Sequence, residues 1–469
     1  MIFHYDEILV TYLVWDVIYR HSPWLVGKRE ELPEFKRDVV FDIHEHLRKK
    51  EIFILYGPRQ TGKTVALKQY AQESDIPVIY ILADDPVVRS DPQMLLKIFE
   101  SVSDEYREAH IIIDEAHKYP NWADHVKTLF DLGINRGIAI SGYSAYELII
   151  GSSESLVGRC FLRLLLPLSL RECLRALNID LYGVSRELFN GFMDAVKNSD
   201  LSILKHELFR SEKVLYKYSN RISWLVNFIS IYGGFPEIFF NREKSHQELY
   251  RLLITYTWLS IYKDAMRIAG ARVPDKLEDL FFLISYYAGS EQSFYSLSRN
   301  LGIRVPTVEQ YVEALKHAFL IVESRQYRKS PTKTVRGKRK YYPIDPGLRN
   351  AMLRLSKEDT HEQIGYINEL LAVQHSLRLL HHTEGDPLPR TYYWSSENAE
   401  VDIVLKLAGR IIGIESKTSD LRKARKNFAK MALEEEEPDI KLVVWRKKEI
   451  REEGDLLAIP LQYFLLIQP

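Results

Sequence analysis

Residues 51–64 read EIFILYGPRQTGKT. The run 51–56 is apolar and β-prone. Gly57, Pro58, Arg59, Gln60, Thr61, Gly62, Lys63 and Thr64 follow at once, and VALKQYAQES after them reads as helix. A strand, a glycine-bounded loop and a helix make the context that a phosphate-cradling loop needs. Gly57 and Gly62 let the backbone wrap phosphates, while the loop N–H groups and the helix N-terminus point at negative charge. Lys63 is placed to reach the β- and γ-phosphates, and Thr64 to hold magnesium. The stretch predicts an α/β fold of P-loop type with ATP and Mg2+ as cofactors and ATP hydrolysis as the reaction.

Further along, residues 78–82 (VIYIL) form a second β-prone run, and HIIIDEAHKY carries a third into Asp114 and Glu115. A buried strand with acids at its C-terminal end lies where α/β sheets bind ligands. Asp114 would order the magnesium through water, and Glu115 would polarise the attacking water as catalytic residue beside Lys63. A fourth run, 137–140, leads into Ser141-Gly142-Tyr143-Ser144. In P-loop ATPases with a catalytic glutamate such a strand inserts beside the loop strand. Ser141 is then a γ-phosphate sensor or part of a plain turn. Arg159 reads either as a finger on phosphate, in cis or in trans, or as a surface arginine before the run CFLRLLL.

At 469 residues the chain exceeds one ordinary core, and roughly two to four domains are expected. Lys+Arg and Asp+Glu are both 64, so net charge identifies no partner and only local clusters can. The two cysteines, Cys160 and Cys173, are too few for a disulfide framework and fit a reducing compartment. The N-terminal stretch lacks a basic region and a cleavage site, and no run of about 18 apolar residues occurs. A soluble, cytoplasmic protein without membrane contact is expected, and an oligomer is left open.

GPRQTGKT, IIIDEAHKYPNW, the ISGYS turn, LVGR, LPLSLREC and GGFPE (Gly233 to Glu237) stand in this order. In that order they resemble a large archaeal and bacterial family of AAA-type ATPases with a C-terminal domain of unknown function. The resemblance runs from about residue 47 to the C-terminus. The phosphate-loop motifs are generic; PLSLREC with GGFPE marks the family. It implies an ATPase core of ASCE/AAA type, a helical lid, a winged helix and a C-terminal α/β domain resembling restriction endonucleases. The corresponding boundaries are 1–166, 167–285, 286–345 and 346–469.

The middle of the chain supports that division. Residues 167–268 show helical spacing and few strands, with Glu237 read as a helix-start acid. Residues 293–327 split into a helix around Tyr295–Asn300, a turn at Gly302, a second helix capped by Thr307 and a β-prone end. The buried face of that second helix is Val308, Tyr311, Val312 and Leu315. Residues 325–340 then hold eight basic groups and no acid: Arg325, Arg328, Lys329, Lys333, Arg336, Lys338, Arg339 and Lys340. With Gly337 at a hairpin tip, this reads as a wing on DNA phosphates or as a solvated hairpin.

In the last domain, GYINELLAVQHSLRLL reads as an amphipathic helix carrying Glu369. AEVDIVLKLAGRIIGIESK reads as a hairpin turning at Ala408-Gly409, with Asp402 on one strand and Glu415 and Lys417 on the other. Residues two apart on a strand share a face. Two carboxylates hold a hard cation as metal ligands, and a lysine beside it can act on the attacking water. The arrangement resembles the nuclease signature of Asp, a gap, then (Asp/Glu)-x-Lys, with Glu369 as its helix glutamate and Lys417 as its catalytic lysine. Ser416 departs from the family's usual valine. The helix DLRKARKNFAKM adds a basic face for DNA or for solvent. KLVVW reads as an edge strand and LLAIPLQYFLLI as a packing helix. An ATP-regulated, DNA-acting protein with a nuclease-like domain follows; the competing class is a non-catalytic ATP-switched regulator.

Overall fold

The computed structural model describes residues 2–131, 137–143, 148, 156, 159–270, 274–416 and 420–469. Ser144 and Lys417 lie outside the described residues, as does the side chain of Arg336. Two compact units divide the chain, Met1–Leu165 and Leu166–Pro469. Among the described residues no helix is long and apolar enough to cross a membrane.

In the first unit, β1 (Ile52–Tyr56), β2 (Val78–Leu82), β3 (His110–Asp114), β4 (Ile138–Gly142) and β5 (Cys160–Leu164) make a parallel sheet. Their order is β2-β3-β4-β1-β5. Every residue of β1, β3 and β4 is buried. A parallel sheet covered on both faces demands this, which is why these runs are continuously apolar rather than alternating. Helices Val39–Arg48 and Lys63–Glu73 contribute Val39, Ile43, Leu47, Leu67 and Tyr70 to one core with Phe53 and Leu55. Because β4 inserts between β1 and β3, the phosphate loop, the acids after β3 and Ser141 end side by side. They meet at the sheet's C-terminal edge, where such folds bind ligands.

The second unit begins with helices, among them Leu170–Arg175, Tyr182–Asn198, Leu201–Lys217, Ser219–Tyr232 and His246–Leu259. They lead into a nine-stranded sheet made of β6 (Glu291–Gln292), β7 (Ile321–Gln326), β8 (Arg339–Pro343), β9 (Thr391–Ser396), β10 (Ala399–Leu407), β11 (Arg410–Glu415), β12 (Ile440–Trp445), β13 (Arg451–Glu453) and β14 (Leu456–Pro460). Its order is β13-β14-β12-β11-β10-β9-β7-β8-β6. β7 pairs antiparallel with β8 and parallel with β9, so one sheet runs across residue 345.

Three marks of the sequence meet in this unit. Leu168 N–H donates to Gly234 O at 2.7 Å. The buried Asp345 carboxylate accepts from Gly234 N at 2.9 Å and from Gly347 N at 2.8 Å. A Cβ on Gly233, whose φ is +75°, would stand 1.7 Å from Asp345 Oδ1. The first glycine of GGFPE thus leaves the space that the carboxylate occupies, and the second lets the Leu168 backbone approach, where a Cβ would stand 2.6 Å from Leu168 O. Asn350 completes the joint by donating to Ser230 O and Ile231 O.

Several local expectations change. Helix Val305–His317 is capped at Arg304 without a side-chain bond, and Thr307 lies inside its first turn, because Pro306 takes the position that needs no N–H. Gly337 is no hairpin tip: a short helix, Pro331–Arg336, bridges β7 and β8. β12 is interior, flanked by β11 and β14 with all six residues buried, and LLAIP is a strand rather than helix. Helix Ile364–Glu384 is buried on every face from Ile367 to Leu377, not amphipathic. Its polar groups are bonded inward, as with Gln374 to Ile344 O and His375 to Ile467 O.

Candidate functional site

The phosphate loop is held open by its own backbone. Gly57, Gln60 and Gly62 have φ of 141°, 62° and 90°. A Cβ on Gly57 would lie 2.5 Å from Leu165 O, so only glycine lets the chain pass there. Thr61 Oγ1 donates to Pro58 O at 2.9 Å, and buried Arg37 donates to Thr61 O at 2.6 Å. Lys63 Nζ donates to Gly57 O at 2.9 Å and Pro58 O at 2.7 Å, which curls the ammonium over the loop.

Asp114 is the hub. Its Oδ2 accepts from Thr64 Oγ1 at 2.7 Å and from Tyr80 OH at 2.5 Å, while Oδ1 accepts from Ser141 Oγ. Glu115 follows at φ 56°, and its N–H reaches Asp114 Oδ1 at 3.1 Å and Ser141 Oγ at 3.3 Å. Burial, then the Asp114 charge, push the Glu115 carboxyl above its usual range, against the pull of Lys63 and Arg59. Arg59 lays its guanidinium over the Tyr143 ring at 4.1 Å, and Arg159 over the Phe130 ring at 5.3 Å. Tyr80 escaped the sequence reading because a tyrosine within a buried apolar strand looks like core. The cradle at Gly57 and the adjacent oxygens of Thr64 and Asp114 fit a nucleotide with a hard divalent cation.

A second cluster lies in the C-terminal unit. Oxygens of Glu369, Glu400 and Asp402 fall within 4.8 Å of one another. β10 shifts register against β9 between Val401 and Val404, the stretch that carries Asp402. Asp402 Oδ2 accepts from Ser416 N at 2.7 Å. Glu415 Oε1 accepts from Asn427 at 2.7 Å, and burial, then the Asp402 charge, hold its carboxyl well above the usual range. Asp402 is therefore grouped with Glu369 and Glu400, while Glu415 stands beside that group. Lys340 enters from β8: its fully buried Nζ is 2.6 Å from Glu400 Oε1 and 3.4 Å from Glu369 Oε1. Tyr342, two residues on, donates to the same Glu369 oxygen at 2.8 Å. Glu400, 39% exposed, also lines a cleft of about 1120 Å³ with Glu291, Arg328, Lys338 and Tyr366. Glu400 had a sequence signal, two residues before Asp402 on one strand; Lys340 was hidden within a basic run.

That run is largely neutralised. Arg325 and Arg339 both reach Glu323, at 3.2 and 2.8 Å. Arg328 pairs with Glu435 at 2.9 Å and Lys338 with Glu291 at 2.7 Å. A cation already held by a carboxylate gains less from a phosphate, so the basic count overstates the free charge.

Residues 49–174 match a family model described as an AAA domain. Two models described as domains of unknown function, DUF8612 and DUF4143, match residues 224–359 and 365–464. An uncharacterized protein of Mycobacterium tuberculosis is 23% identical over 389 residues, 81% of this chain and 74% of that protein. Another, of Methanocaldococcus jannaschii, is 26% identical over 309 residues, 63% of this chain and 61% of that protein. Among solved structures, the Walker-type ATPase of Pyrococcus abyssi aligns over 70% of this chain and 99% of its own, with 16% identity and a TM-score of 0.43. The matched N-terminal stretch, residues 49–174, holds the phosphate loop, the acid-bearing β3 and the inserted β4, and it is similar to the AAA domain over this span.

Proposed function

We propose that the chain binds ATP with Mg2+ at the phosphate loop and hydrolyses it. The observation that carries this is Asp114 bonded at once to Thr64 of the loop and Ser141 of the inserted strand. Lys63 and the loop N–H groups hold the phosphates, Thr64 and Asp114 hold the cation, and Glu115 orients and polarises the attacking water. Bound magnesium supplies charge neutralisation at the phosphates. Ser141 acts through Asp114, and Arg159 must leave the Phe130 ring to serve as a finger. The test is Glu115→Gln: ATP affinity stays near wild type while turnover falls by at least ~100-fold. Full turnover in that variant would assign the water to another residue.

A second reading concerns the C-terminal unit, and the grouping of Glu369, Glu400 and Asp402 beside a cleft favours it. In this reading a winged helix precedes a restriction-endonuclease-like domain that cuts DNA under nucleotide control. Asp402 holds magnesium or manganese with Glu369 and Glu400, Glu415 stands next to them, and Lys417 acts on the water. The buried ammonium of Lys340 offsets part of the acid charge. DNA phosphates meet Lys329, Lys333 and the basic face of helix Leu421–Glu434, whose Leu421, Ala424, Phe428 and Met431 are packed inward. Branched, single-stranded and duplex DNA should be cleaved only with a divalent cation, and not by Asp402→Ala, which keeps its ATPase rate. Cleavage by neither protein leaves the non-catalytic, ATP-switched regulator.

A further inference from the structure

His117 sits beside the nucleotide loop and has no part in the mechanism above. Its side chain is closed to solvent, 0% exposed, and Nε2 lies 3.4 Å from Glu115 Oε2. The imidazole meets the Tyr143 ring edge-on, with centroids 4.2 Å apart. On that tyrosine rests the guanidinium of Arg59, a residue of the phosphate loop. Gly142 makes room for the histidine: a Cβ there would stand 2.7 Å from His117 Nδ1. Four side chains from three segments thus form one line of contact, from the loop through the end of β4 to the carboxylate after β3.

Packing alone would be met by an apolar side chain of similar size. Histidine instead turns a ring nitrogen toward a largely buried carboxylate, on a residue whose left-handed backbone persists only where its surroundings hold it. A carboxylate that polarises water must be held within a fraction of an ångström of its working position. The imidazole, fixed by Tyr143 on one side and Gly142 on another, supplies that hold.

We propose that His117 is a positioning residue for Glu115, and that Tyr143 and Arg59 tie its setting to the phosphate loop. The proposal rests on the hydrolysis reading given above. A phosphate competes with the tyrosine face for the Arg59 guanidinium, because an ion pair outweighs a cation–π contact. Phosphate in the loop therefore shifts the cover on Tyr143, and with it the support behind His117.

The experiment measures kcat and KM for MgATP and Kd for a non-hydrolysable ATP analogue. It uses the full chain as wild type, His117→Ala, His117→Gln, Glu115→Gln and the double variant His117→Ala/Glu115→Gln. His117→Ala is expected to lower kcat by roughly 100-fold and to leave Kd within about 3-fold. His117→Gln, whose amide nitrogen can take the place of Nε2, recovers kcat to within about 10-fold of wild type. On the Glu115→Gln background, removing His117 costs nothing further, since it acts only through the glutamate. Wild-type kcat in His117→Ala, an equal loss on the Glu115→Gln background, or a rise in Kd that accounts for the whole defect each overturns the proposal and leaves hydrolysis standing. Wild type that binds the analogue without turnover removes the hydrolysis reading and the proposal together. If His117→Ala does not fold, Tyr143→Leu carries the test, with kcat down by roughly 10-fold at unchanged Kd. Unchanged kcat in Tyr143→Leu overturns the link.

Discussion

Lys63 bonds two carbonyls of its own loop, and those bonds hold the ammonium where phosphate oxygens would draw it. Lys63→Ala removes the charge and leaves the glycine-bounded backbone in place. Affinity for ATP should drop by at least ~100-fold in a calorimetric titration, by the worth of a charge-assisted bond to a desolvated anion, with the thermal midpoint nearly unchanged. Asp345 behaves differently. Burial raises its carboxyl to about 7, against the backbone N–H groups of Gly234, Gly347 and Leu348. The unfolded value is about 4, so between the two pH values the folded chain keeps a proton that the unfolded chain has lost. That contribution is fully present below about pH 4 and is gone once pH has risen through the folded value. Urea midpoints of wild type relative to Asp345→Asn should therefore fall across this interval and level off above it; parallel profiles would mean that Asp345 does not titrate there. Lys63, Thr64 and Asp114 were legible because loop spacing and a strand end encode them. Tyr80 and Lys340 acquire their roles from neighbours far along the chain, and local sequence does not carry those.

Elements were legible where the backbone announces itself. The turn Ala408-Gly409, with φ of 51° and 74°, takes the two left-handed residues that a tight hairpin requires, and joins the strands expected there. Helix Leu421–Glu434 shows its apolar stripe in the spacing alone. β12 was misread because its second partner, β14, follows only after another strand, and an edge strand cannot be told from an interior one by composition. Helix Leu170–Arg175 opens with a capping box in which Ser169 and Glu172 exchange bonds. Ser169→Ala should cost about 1 kcal/mol in chemical denaturation. Gly233→Ala combines a left-handed backbone with the Asp345 carboxylate at the new methyl position, and should cost about 3 kcal/mol or more. A Gly233→Ala protein as stable as wild type would mean that the joint around Asp345 moves freely.

At the scale of the whole molecule, the sequence divided the C-terminal half at residue 345, whereas β7 and β9 pair in parallel across that point. Parallel pairing between distant segments leaves no local periodicity to read, so shared sheets are lost when a chain is parsed segment by segment. A continuous sheet should open as one unit. Hydrogen exchange at equilibrium is expected to give the buried amides of β7, β8 and β9 one common opening free energy, and separate values would mean two independently stable bodies. The same sheet sets the charge around Glu369. Lys340 and Tyr342 alternate along β8 and both touch that glutamate. If β8 slid by one residue against its neighbours, both would turn to the opposite face and Tyr341 would take their place on the face toward Glu369. Three carboxylates from helix Ile364–Glu384 and β10 would then confront one another without an ammonium. The alignment of one five-residue strand works like a key in a lock: only one setting leaves the acids of a distant helix and hairpin electrically at rest.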